Sequence, residues 1–328
     1  MREGVQAVEH SPQGHDHGQQ GRVDQAQGHV EDLQRGTGVA ARRGPTFRRR
    51  ELGKQLRLLR EKAGITIEEA AAALAFSETK LTRVETAHNS LPRVGDLEKL
   101  LDLYGVENPD SREALLVLHR DSLSREWWTP YRNTMWNGMD TFLGLERDAR
   151  TLRSWQPDVV PGLLQCESYA RALFLSEKQV EETTTPFVDD NVRLRMERKD
   201  ILTRADGPVE LNVVVNEAAL RQWMGSKDVM LEQYEEVERL AQLHNVTVQI
   251  LPMMLANYRT CLNFMILDFD EGLEPVVQTD LQETITVTDK PLVVGRYARR
   301  FDALQRGALA PSVTPEFLHR LAREIDSH

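Results

Sequence analysis

The sequence has few cysteines and no long hydrophobic run. Only two cysteines, Cys166 and Cys261, occur among 328 residues, too few for a disulfide framework or a cysteine-based metal cluster. The apolar stretches are far too short to cross a bilayer, and the polar N-terminus lacks the apolar core of a secretory signal. These absences exclude secreted disulfide-rich and membrane-spanning classes and favour a cytoplasmic protein.

The chain also lacks the positive net charge that many nucleic-acid-binding proteins carry. Its formal net charge is −10, but the acidic excess is unevenly distributed. Residues 46–105 contain eleven Lys and Arg and nine Asp and Glu, whereas the residues after them contain 25 and 36. An acidic C-terminal part limits indiscriminate binding to DNA. The charge therefore does not exclude DNA binding by the N-terminal part.

Short motifs of catalysis are absent as well. No GxSxG, HExxH, P-loop or paired CxxC sequence occurs. Three scattered histidines on helical patterns are expected to be structural or solvent-facing: His119, His244 and His319. Four more lie in a segment with no ordered scaffold that could present a metal: His10, His15, His17 and His29. We therefore expect no enzyme, no cofactor and no metal site.

The most informative segment is 52–86, which reads LGKQLRLLREKAGITIEEAAAALAFSETKLTRVET. Apolar residues at helical spacing predict a first helix that stops at Gly64. A second helix begins at Thr66 with a capping box, and the turn 75–77 leads into a third helix capped by Ser77. Short helices joined by such a turn are typical of a helix-turn-helix, whose second helix enters the major groove of DNA.

The outward side of the third helix is predicted to contact bases. Leu81 and Val84 face inward, which leaves polar residues on the other side. Arg and Lys suit guanine or phosphate, and Glu accepts a hydrogen bond from cytosine. The predicted base-reading residues are Ser77, Glu78, Thr79, Lys80, Thr82 and Arg83. The predicted phosphate contacts are Arg48, Arg49, Lys54 and Thr66.

Residues 47–106 resemble the XRE (Cro/C1-type) helix-turn-helix family. In that family an arginine near the end of the first helix pairs with a glutamate near the end of the third. Arg60 and Glu85 occupy the matching positions, so the resemblance implies that they form a structural pair. Burying such a pair costs desolvation, so we expect it to orient the recognition helix more than to stabilise the fold.

The sequence departs from the XRE pattern at three positions. Ile67 stands where the family usually has a glutamine that bonds a DNA phosphate, and Arg93 replaces a common serine cap. Ala75 stands where the turn usually has glycine, and a positive φ on alanine costs about 1 kcal/mol. These differences weaken individual contacts more than they threaten the fold.

The residues after 126 combine helical and strand patterns. Strands are predicted at 209–215, 246–251, 262–269, 275–279 and 284–287. The segment 142–175 reads as a helix, a turn and a second helix. The aromatic cluster 127–131 favours buried packing over a ligand cage or an interface.

These patterns predict four parts of the chain and a fold class. A disordered tail (1–45) precedes an all-α helix-turn-helix bundle (46–106) and a linking helix (107–126). The remainder (127–328) is predicted as a mixed α+β domain, because its strands are clustered with helices before and after them.

The C-terminal part has a resemblance of its own. It is carried by the segments WQPDVVPGLLQCESYARALF, ERKDIL, LNVVVNEAALRQ, NVTVQILP, FMILDF and RYARRFDALQRGAL. Over residues 120–323 the chain resembles the actinobacterial DUF5753 domain that follows an XRE module. The resemblance implies a Scr1-type antitoxin-like or WhiJ-like transcriptional regulator with a small DUF397-type protein partner.

Two hypotheses follow. In the first, the chain is a sequence-specific DNA-binding regulator at the nucleoid, a homodimer that reads two half-sites one helical turn apart. In the second, the acidic C-terminal domain binds a protein partner as its main task, and DNA binding is weak or vestigial. Ile67 and Ala75 are the residues that favour the second hypothesis.

Overall fold

The computed structural model describes residues 45–124, 126–181, 184–205, 207–254, 261–270, 273–281 and 284–327. The predicted disordered tail lies outside these ranges except for Pro45, and so do the four histidines named within it. Within the described ranges, no helix combines the length and the apolar character needed to cross a membrane.

The first part of the described chain is a helical bundle. Its helices are α1 (Pro45–Lys62), α2 (Ile67–Ala73), α3 (Glu78–Glu85), α4 (Val94–Leu103) and α5 (Pro109–Ser122). Their apolar stripes meet in one core that includes Leu56, Leu81 and Leu97. Leu115 and Leu118 of α5 belong to the same core. The helix predicted as a link therefore packs as part of the bundle.

The second part is built around a sheet of six described strands. They are β1 (Thr151–Gln156), β2 (Glu210–Asn216), β3 (Val246–Leu251), β4 (Phe264–Asp268), β5 (Val276–Leu281) and β6 (Thr284–Thr288). The strand order is β3-β2-β1-β4-β5-β6. β1, β2 and β3 run parallel, whereas β4, β5 and β6 continue the sheet in antiparallel pairs. This architecture confirms the predicted mixed α+β fold.

Helices cover both faces of the sheet. They are α6 (Met139–Asp148), α7 (Glu167–Glu181), α8 (Thr185–Arg198), α9 (Glu217–Arg221), α10 (Lys227–Ala241), α11 (Pro291–Gly307) and α12 (Thr314–Asp326). On one face, Phe301 and Leu304 of α11 pack in a core with Trp155. On the other, a larger core includes Met230 of α10 and Phe317 of α12.

Strand β1 corrects the prediction of a helix, a turn and a helix over 142–175. It lies in the middle of the sheet, and Leu152, Ser154 and Trp155 are fully buried. Its sequence, TLRSWQ, contains one β-branched residue, so neither composition nor alternation indicated a strand. The other five strands lie within two residues of their predicted bounds.

The aromatic cluster after the bundle is buried, as the sequence predicts. Trp128 and Tyr131 are almost fully covered. The rings of Trp127 and Trp128 meet edge to face, with centroids 5.6 Å apart and an interplanar angle of 87°. The Tyr131 hydroxyl donates to Oε1 of Glu197 at 2.5 Å, so packing and one hydrogen bond explain the cluster.

Helix α1 belongs to both parts of the molecule. Its later turns contribute Leu56 to the core of the bundle. Its first turn packs on the C-terminal part, where the Thr46 hydroxyl donates to Oε1 of Glu126 at 2.9 Å. The ring of Phe47 meets that of Phe269 edge to face, with centroids 6.3 Å apart. One helix therefore links the helical bundle to the sheet domain.

Candidate nucleic-acid interface

Helix α2 begins at a complete capping box. The Thr66 hydroxyl accepts a hydrogen bond from the Glu69 backbone N–H at 3.2 Å. The Glu69 carboxylate accepts one from the Thr66 backbone N–H at 2.8 Å, and this bond, with a second from the Thr66 hydroxyl, lowers the pKa of Glu69. The box satisfies two backbone donors and fixes where the helix starts, as the sequence predicts.

The turn between α2 and α3 contains a left-handed residue. Ala75 has a φ of +53°, which confirms the strain expected where related sequences have glycine. The Phe76 backbone N–H donates to the Ala71 carbonyl at 2.9 Å and closes the turn. Oγ of Ser77 then accepts a hydrogen bond from the Lys80 backbone N–H at 3.2 Å and caps α3.

Helix α3 turns one side to the core and the other to solvent. Leu81 and Val84 are buried, as predicted. The predicted base-reading residues are exposed, apart from half-buried Lys80: Ser77, Glu78, Thr79, Lys80, Thr82 and Arg83. Nζ of Lys80 lies 3.3 Å from the centroid of the Phe76 ring, a cation–π contact that orients the amine. Among the described residues, Arg83 makes no side-chain hydrogen bond or salt bridge.

Arg60 and Glu85 join α1 to α3. Nε and Nη2 of Arg60 donate to the two carboxylate oxygens of Glu85 at 2.6 and 3.0 Å, and Nη1 donates to the Ile65 carbonyl at 3.0 Å. The hydrogen bonds with Glu85 raise the pKa of Arg60. Only 5% of the Glu85 side chain is exposed, so the bidentate pair is shielded and holds α3 in one orientation. The structure thus brings together the two residues that the XRE resemblance pairs.

Helix α1 approaches α3 closely at Gly53. A Cβ atom at this position would lie 2.6 Å from the Glu85 carbonyl oxygen and 2.7 Å from that of Val84. A side chain here would force the two helices apart. Sequence reasoning missed this residue, although a glycine inside a regular helical pattern was the signal that could have found it.

The four predicted phosphate contacts lie in two settings. Thr66 is exposed at the start of α2, and Lys54 is half-buried on α1. Arg48 instead forms a salt bridge with Asp121 at 3.0 Å, and 16% of its side chain is exposed. Arg49 is partly covered, and burial lowers the pKa of its guanidinium. Phosphate contact by both residues stays a prediction, because Arg48 is paired within the chain and the Nε of Arg49 is buried without a hydrogen-bond partner among the described residues.

One histidine and both cysteines of the described residues lie in structural settings. The buried His119 places Nε2 2.8 Å from the Leu91 carbonyl oxygen. Burial raises the pKa of the thiols of Cys166 and Cys261, which makes both weak nucleophiles. Across the described ranges, no three His, Cys, Asp or Glu side chains are placed to hold a metal ion.

Two family models match the chain. A helix-turn-helix domain matches residues 51–115, from the first half of α1 to the middle of α5. A domain of unknown function, DUF5753, matches residues 139–320, from the start of α6 into α12, which is more than half of the chain. This chain belongs to the DUF5753 family. The order of the matches identifies a helix-turn-helix regulator with a C-terminal DUF5753 domain, the arrangement that the resemblances implied. No curated protein and no solved structure matches this DUF5753 protein.

Proposed function

We propose that this DUF5753 protein is a sequence-specific transcriptional regulator that reads an operator with α3. The helix-turn-helix match indicates a DNA-binding regulator. The observation that carries the finer proposal is the exposed polar side of α3, with Arg83 unengaged by described residues. The Arg60–Glu85 pair holds that helix against α1. An arginine presented on a rigid helix can form two hydrogen bonds with guanine in the major groove.

The proposal divides the contacts between bases and phosphates. Base contacts are assigned to Ser77, Glu78, Thr79, Lys80, Thr82 and Arg83. Phosphate contacts are assigned to Lys54 and Thr66, whose amine and hydroxyl are groups that contact phosphate oxygens. Arg48 adds to them only where its salt bridge with Asp121 opens, and Arg49 only where its partly buried guanidinium reaches solvent.

We assign to the C-terminal domain the formation of a homodimer and the binding of a small DUF397-type protein. A two-fold dimer matches two half-sites one helical turn apart. Antitoxin-like action then means that the protein holds its partner while it represses a shared promoter in the nucleoid. The family membership and the resemblance to Scr1-type regulators support this assignment.

The alternative is a partner-binding protein with weak or vestigial DNA binding. Ile67 and the strained Ala75 favour it, since each replaces a residue that related proteins use in the motif. The intact caps of α2 and α3 favour DNA reading instead, because both helices keep the geometry that the motif needs.

The experiment that tests the proposal compares two arginine variants of the full chain. A duplex selected by the wild-type protein from randomised DNA serves as the probe in a gel-shift titration. Arg83→Ala is expected to weaken specific binding by about 1–3 kcal/mol, because it removes one base contact. Arg57→Ala is the matched control, since Arg57 is exposed on α1 and pairs with Glu61 at 2.8 Å. Its affinity should match that of the wild type.

Two outcomes count against the proposal. Equal binding by the wild type and Arg83→Ala would show that the assigned recognition face is wrong. A selection that enriches no sequence would favour the partner-binding alternative.

A further inference from the structure

A cavity of about 210 Å³ lies in the DUF5753 domain between the sheet and helices α6, α7 and α8. Ser154, Met265 and Gln278 stand side by side on one of its walls, because they are paired residues of β1, β4 and β5. The apolar part of the lining includes Trp136, Met139, Phe142, Phe174 and Ile285. DNA binding by α3 uses none of these residues.

The hydroxyl of Ser154 is buried without a partner. The residue is fully covered, and its Oγ forms no hydrogen bond with any described residue. Leaving a buried hydroxyl unbonded costs free energy, which an alanine in the same place would avoid. Because Ser154 lines the cavity, a polar group that enters the cavity would supply the missing partner.

Arg195 of α8 lines the same cavity without a salt bridge to any described carboxylate. Its Nη1 donates to Oε1 of Gln165 at 2.8 Å, and its guanidinium lies 4.9 Å from the centroid of the Phe174 ring. Burial and the positive charge of Arg198 together lower the pKa of Arg195 to about 10. A guanidinium has five N–H donors, so this one retains capacity for an anion.

The next arginine on α8, Arg198, differs from Arg195 in having a carboxylate partner. Nε and Nη2 of Arg198 donate to the two carboxylate oxygens of Glu146 at 2.9 and 2.7 Å, and both side chains are buried. Burial acts to lower the pKa of Arg198, but the charge and hydrogen bonds of Glu146 raise it overall. The cavity is therefore lined by one paired arginine and one that lacks a carboxylate partner.

The other charges at the cavity limit what that anion can be. Asp280 and Glu177 also line it, and Asp280 accepts hydrogen bonds from the side-chain amides of Asn263, at 2.6 Å, and Gln278. Two carboxylates would repel a ligand with two negative charges. A ligand with a single carboxylate is repelled less, and its carboxylate matches the planar fork of a guanidinium.

We infer that this cavity binds a small aromatic monocarboxylic acid, with its carboxylate at Arg195 and its ring among the apolar side chains of Trp136, Phe142 and Phe174. The cavity is smaller than the 300–1,000 Å³ or so of sites that hold drug-sized molecules, so one ring with a short acid group suits it. A polar substituent on the ligand satisfies the hydroxyl of Ser154.

Isothermal titration calorimetry on the full chain tests this inference with phenylacetate, 4-hydroxyphenylacetate and the neutral phenylacetamide. The wild type is expected to bind both acids at least about tenfold more tightly than the amide, which has the same size and no charge. Arg195→Gln should bind acid and amide equally, with the affinity for the amide unchanged. Arg193→Gln is the matched control, since Arg193 is exposed on α8 and pairs with Asp190 at 2.5 Å. It should keep the preference for the acids.

A second variant tests the polar wall. Ser154→Ala should weaken the binding of 4-hydroxyphenylacetate severalfold without lowering the midpoint of thermal unfolding, because the lost hydroxyl has no partner among the described residues. An acid preference that survives Arg195→Gln, equal affinity of the wild type for acid and amide, unchanged binding by Ser154→Ala, or no heat from any probe at millimolar concentration would overturn the inference. No DNA is present, so these results leave the operator-reading proposal unaffected.

Discussion

Ala75 shows how one residue can carry strain that its neighbours tolerate. Its φ of +53° lies in the left-handed region, where a Cβ atom approaches the following carbonyl. The hydrogen bond from Phe76 to Ala71 and the Ser77 cap hold the turn on both sides. The surrounding contacts, rather than the preference of alanine, therefore fix the conformation.

Replacing Ala75 with glycine should relieve this strain. Ala75→Gly is expected to raise the free energy of unfolding by about 0.5–1 kcal/mol, the difference between alanine and glycine at positive φ less the entropy that glycine loses. The control is Ala72→Gly, an exposed position within α2, which should lower it by about 0.5–1 kcal/mol. Urea unfolding followed by far-UV circular dichroism measures both, and effects of the same sign would contradict the assignment.

Residues that act locally could be predicted from their spacing, whereas those that act across the fold could not, apart from the Arg60–Glu85 pair that the XRE resemblance implied. The caps Thr66 and Ser77 bond backbone groups three residues away, so spacing alone identified them. Ser154 and Arg195 gave no such signal. Arg195 donates a hydrogen bond to Gln165, which lies thirty positions away in the sequence. Ser154 lines the same cavity only because the sheet and helices have folded together.

At the scale of elements, the close approach of α1 to α3 fixes the orientation of α3. Gly53 allows α1 to contact the backbone carbonyls of Val84 and Glu85. The Arg60–Glu85 pair joins the same two helices about two turns further along α1. The orientation of α3 therefore depends on a contact that includes none of the residues proposed to read bases.

Adding a methyl group at position 53 should destabilise the contact between α1 and α3. Gly53→Ala is expected to lower the free energy of unfolding by about 1–3 kcal/mol. Its Cβ would overlap the carbonyl groups at the end of α3, which can move only if the whole of α3 shifts. Gly95→Ala in α4 is the matched control: nothing lies within 4 Å of its added Cβ, and it should be neutral or stabilising. Chemical denaturation of both variants compares them, and equal stability would argue against the close approach.

Some strands could be predicted from their local sequence and one could not. β2 and β3 are rich in valine and isoleucine, and their bounds followed from composition. β1 is buried on both faces, but its serine, arginine and glutamine carry no strand preference. Its place between β2 and β4 comes from pairing with neighbours that are distant in sequence, which no local pattern contains.

At the scale of the whole molecule, α1 couples the bundle to the sheet domain. Arg50 adds a salt bridge to Asp289, just after β6, at 3.1 Å. All five tryptophans of the sequence, at positions 127, 128, 136, 155 and 223, lie beyond the bundle. Tryptophan fluorescence therefore reports on the sheet domain and on the segment that leads into it from the bundle. Circular dichroism reports on the helices of both parts.

This distribution makes the coupling measurable. Glu85→Ala leaves the guanidinium of Arg60 shielded from solvent without its carboxylate partner. This change is expected to lower the free energy of unfolding by about 2–4 kcal/mol. Because α1 serves both parts, the urea midpoints from fluorescence and from circular dichroism should fall together. Arg57→Ala, which removes an exposed pair, should move neither midpoint. A fluorescence midpoint that stays at the wild-type value in Glu85→Ala would show that the two parts unfold separately.

Thr46 and Phe47 are nearly inaccessible to solvent, at 3% and 2% exposure. Glu126 and Phe269, which contact them, both lie beyond the bundle. A truncated fragment that stops at the end of α5 would therefore uncover an apolar N-terminal turn and invite fraying or self-association. The smallest piece of this chain that keeps the helix-turn-helix as it is in the whole protein is consequently larger than that motif.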